Sequence, residues 1–229
     1  MKKLKEKLIK IINLLFLLIL FIASYALVTA KNYYIKNNLI YLDPGHGGPD
    51  GGAVSHLGDF EKDIVLDIAK RLKLYLVNAG YNVKLTRDGD YDLAPDTSKN
   101  SKRDDILKRV ELINNSNCLL YLSIHANKYP SPKIYGAQVF YKPYSLEGKL
   151  LAEEIQTAFQ ESLKNTTRKA KAITGKYLIE HATPPGALVE VGFLSNPEEA
   201  KLLVEEYYQE KVAYAIYVGI LSYLEKVNK

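Results

Sequence analysis

The sequence predicts a single α/β domain, with a mostly parallel central sheet of about six strands flanked by helices on both faces. Two observations carry that prediction. From Leu39 onward, short apolar runs rich in β-branched and aromatic residues alternate with longer stripes at helical spacing, and no repeat or low-complexity stretch interrupts them. The 229 residues, 47% apolar and 25% charged, suffice for one good core and one short extra segment. Strands that alternate with helices imply parallel pairing and a sheet covered on both faces.

The first 30 residues stand apart from this pattern. Lys2, Lys3, Lys5, Lys7 and Lys10 precede an uncharged stretch from Ile11 to Val28, a charged region followed by an apolar one. Val28-Thr29-Ala30 places small residues three and one before a cut after Ala30, while an apolar run of about 18 residues is also long enough to span a bilayer. Residues 1–30 are expected to be a signal peptide or signal anchor, with residues 31–229 as one exported domain and membrane contact confined to the N-terminal segment. A buried amphipathic helix fits poorly, because apolar residues cover every face of the run. The same segment accounts for the charge. The chain carries 31 basic and 26 acidic residues, a formal +5, but five lysines and Glu6 lie in the first 30, leaving 26 and 25 for the body. A nearly neutral body removes the case for nucleic acid as a partner.

Within the body, Leu39–Asp43, Asn82–Thr86, Cys118–Ile124, Ala137–Tyr141 and Ala187–Val191 read as strands by length and composition, with Tyr177–Ile179 as a weaker sixth. Ile64, Val65, Ile68, Ala69, Leu72 and Leu76 recur at helical spacing. So do Ile106, Val110 and Ile113, and then Leu151, Ile155, Ala158, Phe159 and Ser162. Asn196-Pro197-Glu198-Glu199 supplies an N-cap, a proline at the first helical position and an acid three residues after the cap, so a helix starts there. A last helix is expected near Gln209–Lys226. Cys118 is the single cysteine and cannot pair within the chain, so it reads as a small core hydrophobe and stability must come from packing.

In a sheet of this kind the ligand site lies beyond the carboxyl ends of the strands, where the polar motifs fall. Residues 43–52, Asp43-Pro44-Gly45-His46-Gly47-Gly48-Pro49-Asp50-Gly51-Gly52, hold five glycines and two prolines around one histidine directly after the first strand. The loop matches no phosphate-binding pattern. Taken alone, His46 reads equally as a histidine in an ordinary turn, and Glu61 as an acid complementing the dipole of the helix it begins. His125 follows the most apolar strand, where a structural histidine would sit inside it. Two histidines and a carboxylate at strand and helix ends on one sheet edge are the three ligands that a catalytic zinc takes, with a fourth position left for water. Glu190, in the apolar run Ala187-Leu188-Val189-Glu190-Val191, is costly there unless it is paired or functional. Beside a zinc site it would serve as general base and then pass its proton to the leaving amine.

Leu42-Asp43-Pro44-Gly45-His46-Gly47-Gly48, Glu61-Lys62-Asp63, Leu85-Thr86-Arg87, Ser123-Ile124-His125-Ala126-Asn127 and residues 188–196, Leu-Val-Glu-Val-Gly-Phe-Leu-Ser-Asn, resemble the ordered motifs of the zinc N-acetylmuramoyl-L-alanine amidases. The likeness runs from about Leu39 to Tyr223. It implies that His46, Glu61 and His125 bind one Zn2+ and that Glu190 is catalytic. It also implies hydrolysis of the amide between the lactyl group of muramic acid and L-alanine of the peptidoglycan stem peptide. The chain is most similar to the short spore-cortex, germination-specific type, through its single N-terminal apolar segment, its Pro185–Val191 run and the lack of an appended domain. Peptidoglycan is then the substrate, and an accessory envelope or spore protein is expected to supply targeting or activation. A vegetative autolysin or division amidase, or an amidase-like module dependent on a partner, is the alternative.

Other residues are left aside. His56 reads as an exposed loop histidine and His181 as a loop histidine near the groove. Arg168, Lys169 and Lys171 form a small basic cluster open to stem-peptide carboxylates, and Arg87 and Arg109 read as structural ion-pair residues. A zinc carboxypeptidase also needs this donor set, but its H-x-x-E pair is absent, since His46 and Glu61 are fifteen residues apart.

Overall fold

The structure, a computed structural model, describes residues 2–36 and 38–227. It divides into two compact units, up to Asn38 and from Leu39 onward. The first is one helix, α1 (Lys2–Lys36), which continues through Val28, Thr29 and Ala30. Its stretch Ile9–Ala26 has a mean hydropathy of 2.3 and is long and apolar enough to cross a membrane. Side chains from Ile9 to Ile22 are exposed around the helix, so the run presents an apolar surface on every face.

The second unit contains β1 (Leu39–Pro44), α2 (Glu61–Asn78), β2 (Asn82–Leu85), α3 (Ser101–Asn114), β3 (Leu120–Asn127) and β4 (Gln138–Tyr141). These are followed by α4 (Leu146–Ser162), β5 (Lys171–Ala172), α5 (Tyr177–His181), β6 (Gly186–Phe193), α6 (Pro197–Val204) and α7 (Glu206–Val227). The strands form one sheet in the order β2-β1-β3-β6-β4-β5. β2, β1, β3 and β6 run parallel, β4 is antiparallel to β6, and β5 is parallel to β4.

Alternation along the central strands assigns their two faces. Ile40, Leu42, Leu122, Ile124, Ala187 and Val189 pack with α2, α4, α6 and α7. Leu39, Tyr41, Tyr121 and Leu188 pack with Ile113 of α3 and with Leu178 and Ile179 of α5. Both faces are covered, as expected. Gly219 sits where α7 meets α4, and a Cβ there would lie 2.5 Å from the backbone Cα of Ile155, so the close helix crossing depends on a missing side chain.

Two expectations are corrected. Tyr177–Ile179 is not a strand but the start of α5, because Leu178 and Ile179 both turn down onto α3 while Tyr177 stays exposed, a spacing that three apolar residues cannot reveal by periodicity. The sixth strand is instead Lys171–Ala172, two exposed residues at the sheet edge. β3 also runs further than expected, so His125 lies within the strand near its carboxyl end. At α6, Asn196 caps the helix by accepting from the N–H groups of Glu198 and Glu199 at 3.1 and 3.0 Å. Glu199 turns inward rather than closing a capping box. Its carboxylate accepts from the N–H groups of Phe193 at 2.9 Å and Gly136 at 3.0 Å, tying the end of β6 to the approach to β4. Cys118 is buried, as a core hydrophobe should be.

Candidate active site

The site assembles at the carboxyl end of the parallel strands. β1 delivers the glycine-rich loop, whose His46 adopts a left-handed φ of +61°. α2 begins with Glu61, and β3 presents His125 directly beside Glu190 of β6, the two being register partners. The β3–β6 ladder shifts register between His125 and Asn127, an irregularity of the kind that re-aims side chains at strand ends. The glycine before His46 is a steric requirement: a Cβ on Gly45 would stand 2.2 Å from Cε1 of the His125 ring.

His46, Glu61 and His125 come together with one ligand atom from each within 4.8 Å of the others. His46 Nε2 lies 3.2 Å from Glu61 Oε2, and His125 Nδ1 lies 2.8 Å from Glu61 Oε1. The two rings meet edge to face with centroids 5.0 Å apart. Backbone N–H groups fix the Glu61 carboxylate, Ala53 donating to Oε2 at 2.8 Å and Ala126 to Oε1 at 3.1 Å. Burial opposes its ionisation, but hydrogen bonds and charge from His125 and His46 prevail and hold its pKa far below the usual carboxylate range. Burial likewise lowers the His46 pKa, and Glu61 and Asp50 outweigh it, so the net shift is upward. The group can hold a metal ion: zinc accepts imidazole and carboxylate donors at about 2.0–2.2 Å, and nitrogen and oxygen atoms already gathered this closely need little movement to meet one.

Glu190 is 9% exposed, and its Oε2 is buried with no hydrogen-bond partner among the described residues. Burial raises its pKa, and nearby His125 and Lys176 only partly offset that rise. A buried acid with a raised pKa and a free oxygen is the form suited to carrying a proton near neutral pH.

Sequence reasoning missed Asp50. Its Oδ2 lies 2.9 Å from His46 Nδ1, fixing which ring nitrogen faces Glu61, and its Oδ1 lies 3.0 Å from Lys102 Nζ. The available signal was a carboxylate four residues after His46 in a loop that folds on itself through paired hydrogen bonds between Gly47 and Asp50. Carboxylates that orient a ligand histidine commonly govern metal affinity by ten- to a hundredfold. Asp50→Ala is therefore expected to weaken zinc binding by about ten- to a hundredfold in competition titrations with a chromophoric chelator, with Asp50→Asn intermediate.

Two buried arginines hold the loop from beneath. Arg109 pairs with Asp43 at 2.7 Å and Asp105 at 2.8 Å, and donates to the carbonyls of Pro44 and His46. Arg87, expected to be an ion-pair residue, bonds to carbonyls alone among the described residues: Pro44, Gly45, Lys62 and Gly89 at 2.7–3.1 Å. The remaining histidines stay outside. His56 is exposed, and His181 stacks on Tyr177 with centroids 3.9 Å apart.

A family model described as N-acetylmuramoyl-L-alanine amidase matches residues 40–222, which include all four residues of this cluster. The chain belongs to the N-acetylmuramoyl-L-alanine amidase family. The amidase is 48% identical over 217 residues to the germination-specific N-acetylmuramoyl-L-alanine amidase of Bacillus subtilis (strain 168), covering 91% of each chain. It is 30% identical over 232 residues to AmiA of Salmonella typhimurium, covering 82% of this chain and 76% of AmiA. Its fold matches the CwlD amidase from Clostridioides difficile, solved in complex with the GerS lipoprotein, at a TM-score of 0.80 and 39% identity over 83% of this chain and 100% of that one. The catalytic domain of CwlV from Bacillus (Paenibacillus) polymyxa matches at a TM-score of 0.73 and 29% identity, covering 82% and 98%.

Proposed function

We propose that His46, Glu61 and His125 hold one zinc ion, and that Glu190 carries the proton in hydrolysis of the amide between the lactyl group of N-acetylmuramic acid and L-alanine of the stem peptide. The observation that carries this reading is the unpaired, buried Oε2 of Glu190 next to three donors that already converge. Two imidazoles and one carboxylate leave one tetrahedral position open, so the residues fit the ion. When bound, zinc supplies Lewis-acid polarisation of the scissile carbonyl and lowers the pKa of the attacking water to about 7. Glu190 Oε2 takes a proton from that water as its oxygen bonds to the lactyl carbonyl carbon. When the C–N bond breaks, the same proton passes to the alanyl nitrogen, giving a lactyl carboxylate and a free peptide amine. Asp50 holds His46, and the backbone of Ala53 and Ala126 holds Glu61, so neither ligand reorganises during the step.

Likeness to the germination-specific relative and to CwlD supports a role in the spore cortex, where removal of the stem peptide prepares muramic acid for conversion to its δ-lactam. α1 delivers residues beyond it to the outer side of the cytoplasmic membrane, as a cleaved signal or as an anchor. CwlD is solved with a lipoprotein, and an accessory envelope or spore protein is part of the present proposal. Muropeptide mass analysis of spores lacking this amidase tests the role: muramic lactam is expected to disappear. Normal lactam with unseparated vegetative cells would assign it to division instead.

A further inference from the structure

On the α3 and α5 side of the sheet, Glu190 and His125 open into a cavity of about 140 Å3. Leu188 from β6, Ile106 from α3 and Ile179 from α5 make its wall largely apolar, with Ser123 the polar exception, and Lys176 and Tyr177 complete the lining. Lys176 is exposed and, among the described residues, makes no ion pair. Its backbone is nevertheless fixed. The Lys176 carbonyl accepts from Glu180 N–H at 3.0 Å, and the Glu180 carboxylate accepts from Gly175 N–H at 2.6 Å. Arg168, from the basic cluster left aside in the sequence reading, is already committed: it donates to Tyr135 O at 3.0 Å and Gln138 Oε1 at 3.2 Å, and lies over the Phe193 ring.

The scissile amide has a methyl-bearing carbon on either side. Beyond the lactyl carbon lies an uncharged sugar, whereas beyond the alanyl carbon lies an acidic residue with a free carboxylate. A narrow, largely apolar pocket lined by one cation that makes no ion pair among the described residues matches the second arrangement. We infer that this cavity is the subsite for the peptide half of the substrate, its apolar wall taking the alanyl methyl and Lys176 Nζ meeting the free carboxylate of the next residue. Lys176 is thus a specificity-determining residue, an assignment that rests on the amidase reading.

The test compares the zinc-loaded wild type, Lys176→Met and Lys176→Arg on two synthetic muropeptides that differ only in whether the carboxyl after alanine is free or amidated. Wild type is expected to show a KM about fivefold lower for the free acid with similar kcat, the upper range for an exposed ion pair. That ratio collapses to about one in Lys176→Met and is kept in Lys176→Arg. A ratio that persists in Lys176→Met, or is absent in wild type, overturns the subsite. Should wild type cleave neither muropeptide, alone or with spore-envelope extract added, the amidase reading fails and the subsite is decided by binding alone. L-alanyl-γ-D-glutamate and its isoglutamine counterpart are titrated while the Leu188 methyl signals are followed by NMR. Equal affinity of the acid for wild type and Lys176→Met overturns the assignment.

Discussion

Glu190→Gln is expected to reduce stem-peptide release about a thousandfold or more while zinc content stays unchanged. Glutamine fills the same volume but can neither accept the proton of the attacking water nor return it to the alanyl nitrogen. The three proposed ligands do not depend on Glu190 for a hydrogen bond: Glu61 is fixed by backbone N–H groups, His46 by Asp50, and His125 meets Glu61 Oε1 at 2.8 Å. Release of N-terminal alanine from purified peptidoglycan, measured with metal content on the same sample, checks the result. Undiminished hydrolysis would remove Glu190 from the mechanism, and loss of zinc would make it a ligand instead. The variant carries a second signature. Burial lifts the Glu190 pKa above its unfolded value of 4.5, so its contribution to folding is present at low pH and is lost as pH rises through the folded pKa. Removing the charge removes that cost. Zinc-free Glu190→Gln should melt above zinc-free wild type at pH 7, with the difference closing below pH 4.5. Its absence would mean that the carboxylate has found a partner.

The parts of this fold legible in sequence are those where one physical constraint dominates. β1, β3 and β6 are buried on both faces and read as apolar runs, and α2 and α4 each turn one apolar stripe to the sheet. β5 is two exposed residues held by pairing to β4, a tertiary effect that leaves no pattern. Tyr177–Ile179 is too short for its period to separate helix from strand. The convergence of His46, Glu61 and His125 was legible because each sits at an element end on one edge of a parallel sheet. What supports them was less so. Arg109 meets Asp43 across 66 positions, and no local signal announces a pairing of that range. Lys176 drew no notice in the sequence at all; it matters only because α5 folds onto α3 and leaves it at the mouth of a cavity beside Glu190.

Arg109→Met should be the most destabilising of these substitutions, and it should also weaken metal binding. Arg109 and Asp43 are each 1% exposed. Removing one partner of a buried pair costs about 3–5 kcal/mol, a large part of the roughly 5–15 kcal/mol that holds a domain folded. Asp43 keeps only the hydroxyls of Ser123 at 2.6 Å and Thr86 at 2.7 Å, while the His46 carbonyl loses its Arg109 donor and the Pro44 carbonyl keeps only Arg87. The loop that carries His46 is thereby loosened. Asp43→Asn combined with Arg109→Met leaves no unpaired charge at position 43, with only the less buried Asp105 losing its partner, so a double-mutant cycle in urea should recover much of the loss, and strict additivity would refute the pairing. The pH dependence separates this explanation from simple cavity formation. In wild type, burial raises the Asp43 pKa, but Arg109, Ser123 and Thr86 outweigh it and leave it lowered, so its contribution is present above about pH 4 and lost as pH falls through the folded value. In Arg109→Met burial is no longer outweighed by the guanidinium, the folded pKa moves upward, and the carboxylate becomes a cost as pH rises. The stability gap between the two proteins should therefore be widest near neutral pH and narrow towards pH 4, whereas a packing defect alone would leave it constant.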